Sequence, residues 1–377
     1  MLRVLGLKLL HMLPVLFLVS LGTFFLIELV PGDPALLVAG EDATREQIEQ
    51  IRRELGLDRG LVERYLDWMG STLSGDFGRS LVPPIQDVSA MIAQRFPVTL
   101  QLTIMALGLA FLIAIPAALL SVYTVNSRFD RGLTAGAFAS ISLPSFLVAL
   151  LLIFLFVFNP HLVRWGLLIA GVLFASWLAW RVVEALRSEP PSVERRNRLV
   201  SMSAVVGAVV VVAVALFFVL PEFPRQGFNR LTGEAGVFSN LRTAFLPAIT
   251  LASIEAAVFT RLLRGDLLTT LQEDYILAAR AKGMPRWRIL LRDALRPSSF
   301  SLITVAGIAL GRLVGGTVIV EAIFNLPGMG TMMITAIGAK DYAVIQAAVL
   351  VIAIFYVVIN ALVDMSYSLL DPRIRRG

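Results

Sequence analysis

Asp274-Tyr275-Ile276-Leu277-Ala278-Ala279-Arg280-Ala281-Lys282-Gly283-Met284 is a charged stretch with a small-residue centre, set between long hydrophobic runs. No Pro or Gly interrupts Asp266 to Lys282, so one helix is predicted there. Gly283 supplies a left-handed stop and Pro285 forbids simple continuation, while suiting the first turn of a second helix, Arg286 to Leu295. The three-and-four spacing places Tyr275, Ala278, Ala279 and Lys282 on one face. Two readings follow. One is a solvated loop helix. The other is a docking knob, in which two alanines make a shallow surface ringed by Arg280, Lys282, Arg286 and Arg288, suited to a partner with an acidic or polar groove.

The surroundings decide the class. Of 377 residues, 57% are hydrophobic and 16% charged, against about 25% charged in ordinary soluble domains. Several apolar runs are long enough to span a bilayer, so the chain reads as an all-α integral membrane protein. The net charge of +6 comes from basic residues that flank apolar runs. That distribution suits lipid headgroups and topology signals and excludes a nucleic-acid face. No cysteine is present, which excludes disulfides and thiolate metal sites. His11 and His161 stand far apart without clustered carboxylates, so no metal site is predicted.

Eight spans are predicted. The first runs from about Leu9 to Val30, the second from Pro97 to Tyr123, and the third ends with Phe146 to Phe158. Two apolar runs, Trp165 to Val183 and Leu199 to Leu220, bracket a charged segment at 184–198. Then come Ala244 to Leu263, Ser298 to Val320 and 343–365. Glu41 to Trp68 has a partial apolar face, and Gly75-Asp76-Phe77-Gly78-Arg79-Ser80 and Pro83-Pro84 read as turns, so 31–97 is predicted to fold against the outer membrane face. The expected divisions are 1–30, 31–97, 98–158, 159–225 and 226–377. With eight spans both termini share a side. That side carries Arg3, Lys8, Arg128, Arg131, Arg195, Arg196, Arg198, the arginines of 261–296 and the Arg373-Ile374-Arg375-Arg376 tail. By the positive-inside rule the termini and the 274–284 stretch are cytoplasmic.

These features resemble one family, the transmembrane permease subunits of binding-protein-dependent ABC importers, and within it the first of the two permeases of dipeptide and oligopeptide systems. The resemblance is carried by Asp274-Tyr275 and Ala278 to Gly283, and by Pro31-Gly32-Asp33-Pro34, Gly56-Leu57-Asp58, Gly75 to Ser80, Leu143-Pro144-Ser145-Phe146 and Leu246 to Leu251. Near the end come Glu321, Phe324, Pro327-Gly328-Met329-Gly330, Asn360, Asp364 and Asp371 to Arg375. It covers the chain except about 159–225. It implies a type I importer permease fold of six core helices, here with an inserted two-helix hairpin. It also implies a second homologous permease, two cytoplasmic ATPase subunits that bind ATP and Mg²⁺, and an extracytoplasmic solute-binding protein. The chain itself is then no enzyme and binds no cofactor. The 264–297 region becomes the coupling loop, with Asp274 to Met284 meeting the ATPase. The resemblance implies peptide cargo, with nickel, haem or glutathione as alternatives within the same class. Two departures stand out: Leu277 replaces the Glu that the wider pattern has ahead of the paired alanines, and Asp293, Leu295 and Pro297 give a looser close to the loop.

Five further points follow. No Gly-rich loop ends in Gly-Lys-Ser/Thr, so hydrolysis is supplied in trans. Glu255 and Arg312 are the ionisable residues deepest in spans; they pair across helices, or Arg312 meets a peptide carboxylate. The resemblance places Glu321 near an outer gating turn with Asn325, Pro327 and Gly328, with solvation of Glu321 as the plainer alternative. The glycines at 307–316 serve helix packing or line the path. A secondary transporter or channel would want membrane-embedded acidic relays or repeated halves, and an intramembrane enzyme would want a nucleophile with a base; the sequence offers neither.

Overall fold

A computed structural model describes residues 13–25, 34–39, 43–54, 56–188 and 236–370, with 214–215, 217–218, 221–224, 227–231 and 233 between the last two. Most of the charged 184–198 segment, most of the predicted fifth span at 199–220, and both chain ends lie outside the described residues. Every regular element among them is helical.

The chain divides into two compact units. The larger, Met1–Phe146 with Pro247–Gly377, begins with the short apolar helix α1, Leu13–Phe25. Helices α2 (Pro34–Ala39), α3 (Arg45–Glu54) and α4 (Leu61–Leu73) follow. The stretch with the partial apolar face is helical in two pieces: Gly56, at φ +66°, ends α3 ahead of α4. Tyr65 of α4 shares a 2.8 Å hydrogen bond with Ser20 of α1, and Phe24 packs edge-on against its ring. Positive φ at Gly75 and Gly78 turns the chain again before α5, Val88–Tyr123. This span starts nine residues earlier than predicted: Pro97 lies inside the helix, which membrane helices tolerate where neighbours satisfy the freed carbonyl.

Helix α5 buries Leu102, Ala106, Ala110, Ala114 and Ala118 at four-residue spacing, a ridge that lets other backbones approach closely. Helix α6 is Arg128–Ser142. Leu143-Pro144 then breaks the chain ahead of α7, Ser145–Leu152, which runs on as a π-helical turn, Ile153–Phe158. After α8 (Pro160–Ser188), α9 is Gly236–Thr270. The short helices α10 (Asp274–Ala281) and α11 (Arg286–Arg288) come next, then a second π-helical turn, Ile289–Ala294. The long α12 (Leu295–Phe324), the short α13 (Met329–Ala339) and α14 (Tyr342–Leu370) complete the order. In the larger unit α12 packs on α5, α13 and α14. Met329, Met332 and Ala336 of α13 close over Val88 and Ile92 of α5 and Val344, Ala347 and Ala348 of α14.

The smaller unit is Leu147–Leu246. Within it Phe223 stacks on Phe245, Trp165 meets Phe217 edge-on, and Asn240 donates to the Asn229 carbonyl at 2.5 Å. Its helix α8 exposes Trp165, Ile169, Leu173, Trp177 and Trp180, a surface composition suited to hydrocarbon rather than water.

Among the described residues five helices are long and apolar enough to cross a membrane, or six if α6 with the α7 segment is one span. The glycine-rich part of α12 divides in two. A Cβ at Gly307 or Gly311 would overlap Val363 or Tyr356 of α14, whereas one at Gly315 or Gly316 would meet nothing within 4 Å. The first pair therefore serves close packing, and the second lies open. Gly307→Ala is expected to destabilise the purified protein by about 1–3 kcal/mol through overpacking, while Gly315→Ala stays near neutral. Thermal unfolding in detergent distinguishes them, and equal melting temperatures would refute the assignment.

Candidate functional site

Three places hold polar chemistry that helix packing alone does not require. The first is the turn between α9 and α12. The single helix predicted from Asp266 to Lys282 is not formed: α9 ends at Thr270, and Leu271 to Glu273 turn the chain before α10 begins. The amides of Gln272 and Glu273 bond back to Thr269 and Thr270, closing the last turn with short-range bonds. Gly283 does end α10, at φ +76°. The second helix, however, does not stop at Leu295: helix runs unbroken from Arg286 to Phe324.

The predicted common face is corrected as well. Ala279 points inward, buried with Ile276 and Ile289 beneath Leu271 and Met284, while its neighbour Ala278 is exposed. The exposed surface carries Asp274, Tyr275, Ala278, Ala281 and Lys282, together with bulky apolar groups: Leu277 is 52% exposed and Trp287 60%. The site is thus an apolar and aromatic patch within a basic rim rather than a shallow alanine surface. Inner bonds brace it. Arg280 donates to the Leu271 carbonyl at 3.3 Å and Tyr275 to that of Asp293 at 3.4 Å. Arg286 donates to the Val122 carbonyl at 3.2 Å with its guanidinium over the Tyr123 ring. Thr270 bonds Ser298 at 2.9 Å, and Ser301 donates to Asp266, tying α9 to α12.

Behind this hairpin sits a cluster that sequence reading missed. Arg264 of α9 reaches buried Asp130 of α6 through Nε and Nη2, at 3.1 and 2.9 Å, and Ser121 of α5 through Nε at 2.8 Å. Ser121 and the Asn126 amide also donate to Asp130. The only sequence hint is an Asp among arginines in a short loop, a pattern shared by ordinary topology signals.

The second place is mid-span. Arg312 of α12 donates through Nη2 to both carboxylate oxygens of Glu255 on α9, at 2.8 and 2.7 Å. Of the two readings the sequence left open, cross-helix pairing is present. The third place lies at the far end of α12. Glu321 is fully buried, so the solvated alternative is excluded. Its carboxylate accepts from the Thr99 hydroxyl at 2.6 Å and from the amides of Gly330 and Thr331 at 2.7 and 3.2 Å. Thr99 in turn accepts from the Met329 amide at 2.9 Å. These are first-turn donors of α13, so a buried anion caps a helix N-terminus, where the dipole favours it.

The turn is shaped around that carboxylate. Asn325 takes a left-handed φ of 50°, returning the Leu326 amide to the Glu321 carbonyl at 2.8 Å. A Cβ at Gly328 would overlap the Glu321 carboxylate, and one at Gly330 would press on the Val318 backbone. Pro327 lies half-buried and Asn325 exposed on the same turn. A parallel latch joins the 74–87 loop to the start of α14: buried Asp341 accepts from the Ser80 hydroxyl and, at 3.2 Å, from the Leu81 amide. No group of His, Cys, Asp and Glu fit to hold a metal occurs among the described residues.

Comparison with known proteins adds the following. Residues 195–376 match the family model described as binding-protein-dependent transport system inner membrane component, and residues 1–103 match that of its N-terminal part. A probable D,D-dipeptide transport system permease protein of Escherichia coli is 35% identical over 359 residues, covering 94% of this chain and 92% of the relative. A putative peptide transport system permease protein of Brucella abortus is 32% identical over 363 residues, with 96% of each chain covered. An oligopeptide transport system permease protein of Bacillus subtilis is 30% identical over 362 residues, again with 96% of each covered.

Glu321→Gln turns an amide nitrogen toward donors that need an acceptor, and is expected to cost about 1–3 kcal/mol. Thr99→Val removes one donor to Glu321 and one acceptor for Met329, with a loss of about 1–2 kcal/mol. Melting temperatures of both variants check this; a Glu321→Gln protein as stable as its parent would show the buried anion to be dispensable.

Proposed function

The chain belongs to the family of binding-protein-dependent transport system inner membrane components, and from that premise we propose that it is one of two permease subunits of an ATP-driven importer of di- and oligopeptides. Its relatives' names support the peptide cargo. On this reading the chain lies in the bacterial inner membrane beside a second, homologous permease. Two ATPases bind its cytoplasmic side and a solute-binding protein delivers cargo from outside. We count eight spans, adding α1 and the 199–220 run to the six helical candidates. Both termini are then cytoplasmic.

The coupling element is the hairpin of Asp274, Tyr275, Ala278, Ala279, Arg280, Ala281, Lys282, Gly283 and Met284. The observation that carries this reading is its construction: an inner side locked by Ile276, Ala279 and Ile289, an outer side of exposed Leu277 and Trp287, and unbroken helix from Arg286 into the membrane. A small, braced projection transmits displacement. ATP binding closes the ATPases, the hairpin moves with them, and α12 carries the motion across the bilayer. The ATPases drive the cycle because they bind the hairpin with different affinity in the two permease conformations. ATP and Mg²⁺ chemistry stays with those partners. At the opposite end, Glu321, Asn325, Pro327 and Gly328 set the outer turn that opens toward the binding protein.

Trp287→Ala together with Leu277→Ala is expected to lower ATPase co-purification and ATP-driven uptake about tenfold or more, as loss of an aromatic anchor does at other interfaces. Gly283→Val forces a branched side chain into the left-handed region at a cost of about 1–2 kcal/mol and is expected to uncouple hydrolysis from uptake. Transport by the isolated chain in ATP-free vesicles would instead favour a secondary transporter.

A further inference from the structure

Arg312 lies near the middle of α12 and Glu255 near the middle of α9, so on the reading above the pair sits at membrane depth. Its two members are not equivalent: the Glu255 side chain is 4% exposed and that of Arg312 58%. Only Nη2 of the guanidinium is engaged. Among the described residues Nε and Nη1 make no hydrogen bond, leaving three N–H groups free. Around Arg312 the exposed face of α12 consists of Ile308, Gly315, Gly316 and Ile319, and the two glycines border open space. A half-used guanidinium therefore stands beside an open glycine pair, with the exposed side chains of Ile308 and Ile319 to either side. An ionisable group so placed belongs against a water-filled path or a polar partner, not against hydrocarbon.

We propose that Arg312 is a transit contact for the carboxylate of the cargo peptide, with Glu255 as the residue that positions it; this rests on the importer function proposed above. A guanidinium offers planar, charge-assisted donors that match a carboxylate. Glu255 fixes the side chain through one nitrogen and turns the remaining donors outward. It also cancels most of the local charge, so a passing anion meets hydrogen-bond donors rather than an isolated cation. That keeps the contact weak enough to release, as any permeation path requires. Without the arginine, the carboxylate would cross this face unpaired, at a desolvation cost.

The test uses the whole importer in proteoliposomes with ATP, its binding protein and labelled alanine peptides of two to five residues. Three forms are compared with wild type: Arg312→Lys, the neutral pair Arg312→Gln/Glu255→Gln, and the exchange Arg312→Glu/Glu255→Arg. The exchange re-forms an ion pair but puts the carboxylate on the open face. A charged hydrogen bond to cargo predicts that Arg312→Lys keeps more uptake than the neutral and exchanged forms, which fall about tenfold or more. In the neutral form, subunit assembly is retained. Uptake within twofold of wild type in either double variant overturns the proposal. So does failure of the neutral pair to assemble, since that assigns the residues to structure. If wild type itself takes up none of the peptides, the peptide-importer function fails first and this contact with it.

Discussion

One continuous helical run, Arg286–Phe324, with a π-helical turn near its start, is long enough to reach past both faces of a bilayer. Its 39 residues span about 58 Å at 1.5 Å per residue, nearly twice the thickness of a hydrocarbon core. One end packs Ile289 against Ile276 and Ala279 of the hairpin, the middle carries Arg312, and the far end supplies Glu321. The anchoring is correspondingly dense. Gly307 and Gly311 let α14 close on it, Ser298 and Ser301 bond to α9, and Glu321 holds Thr99 of α5.

Each polar device in the larger unit meets the same demand: backbone and side-chain donors with little access to water must find partners inside the protein. Asp130, Glu321 and Asp341 are buried acids, and each gathers donors from more than one element. Removing one partner leaves the remainder unsatisfied, which costs more than the bond itself contributes. Such clusters fix how helices meet without needing large apolar areas, since lipid gives apolar side chains little reason to prefer one another.

The sequence made the all-helical membrane class and the long apolar helices legible through apolar runs and their charged flanks, and Gly283 and Pro285 correctly marked the break in the hairpin. It failed where three-dimensional context overrides local pattern. Nothing between Asp266 and Lys282 breaks a helix, yet Leu271 to Glu273 turn, because Ile276 and Ala279 must come round onto Ile289. The paired alanines suggested one shallow face, but adjacent helical residues are about 100° apart and only Ala278 stays exposed. Solvation of Glu321 stayed open in the sequence because two of its donors are backbone amides and the third, the Thr99 hydroxyl, lies far away in the chain. Asp130 and Arg264 are far apart in the chain and carry no motif. Arg312 and Glu255 were found because charge inside an apolar run is conspicuous.

The turn after α12 also makes three positions depend on one another. Glu321, Gly328 and Gly330 fill one another's space: the carboxylate occupies the volume where a Cβ of Gly328 would stand, and the Gly330 amide supplies its bond. A shorter acid would open room for a side chain at 328 but surrender the cap; an alanine at 328 would expel the acid. The side chain at 328 and the cap at 321 are therefore coupled, and a change at one alters what the other can hold.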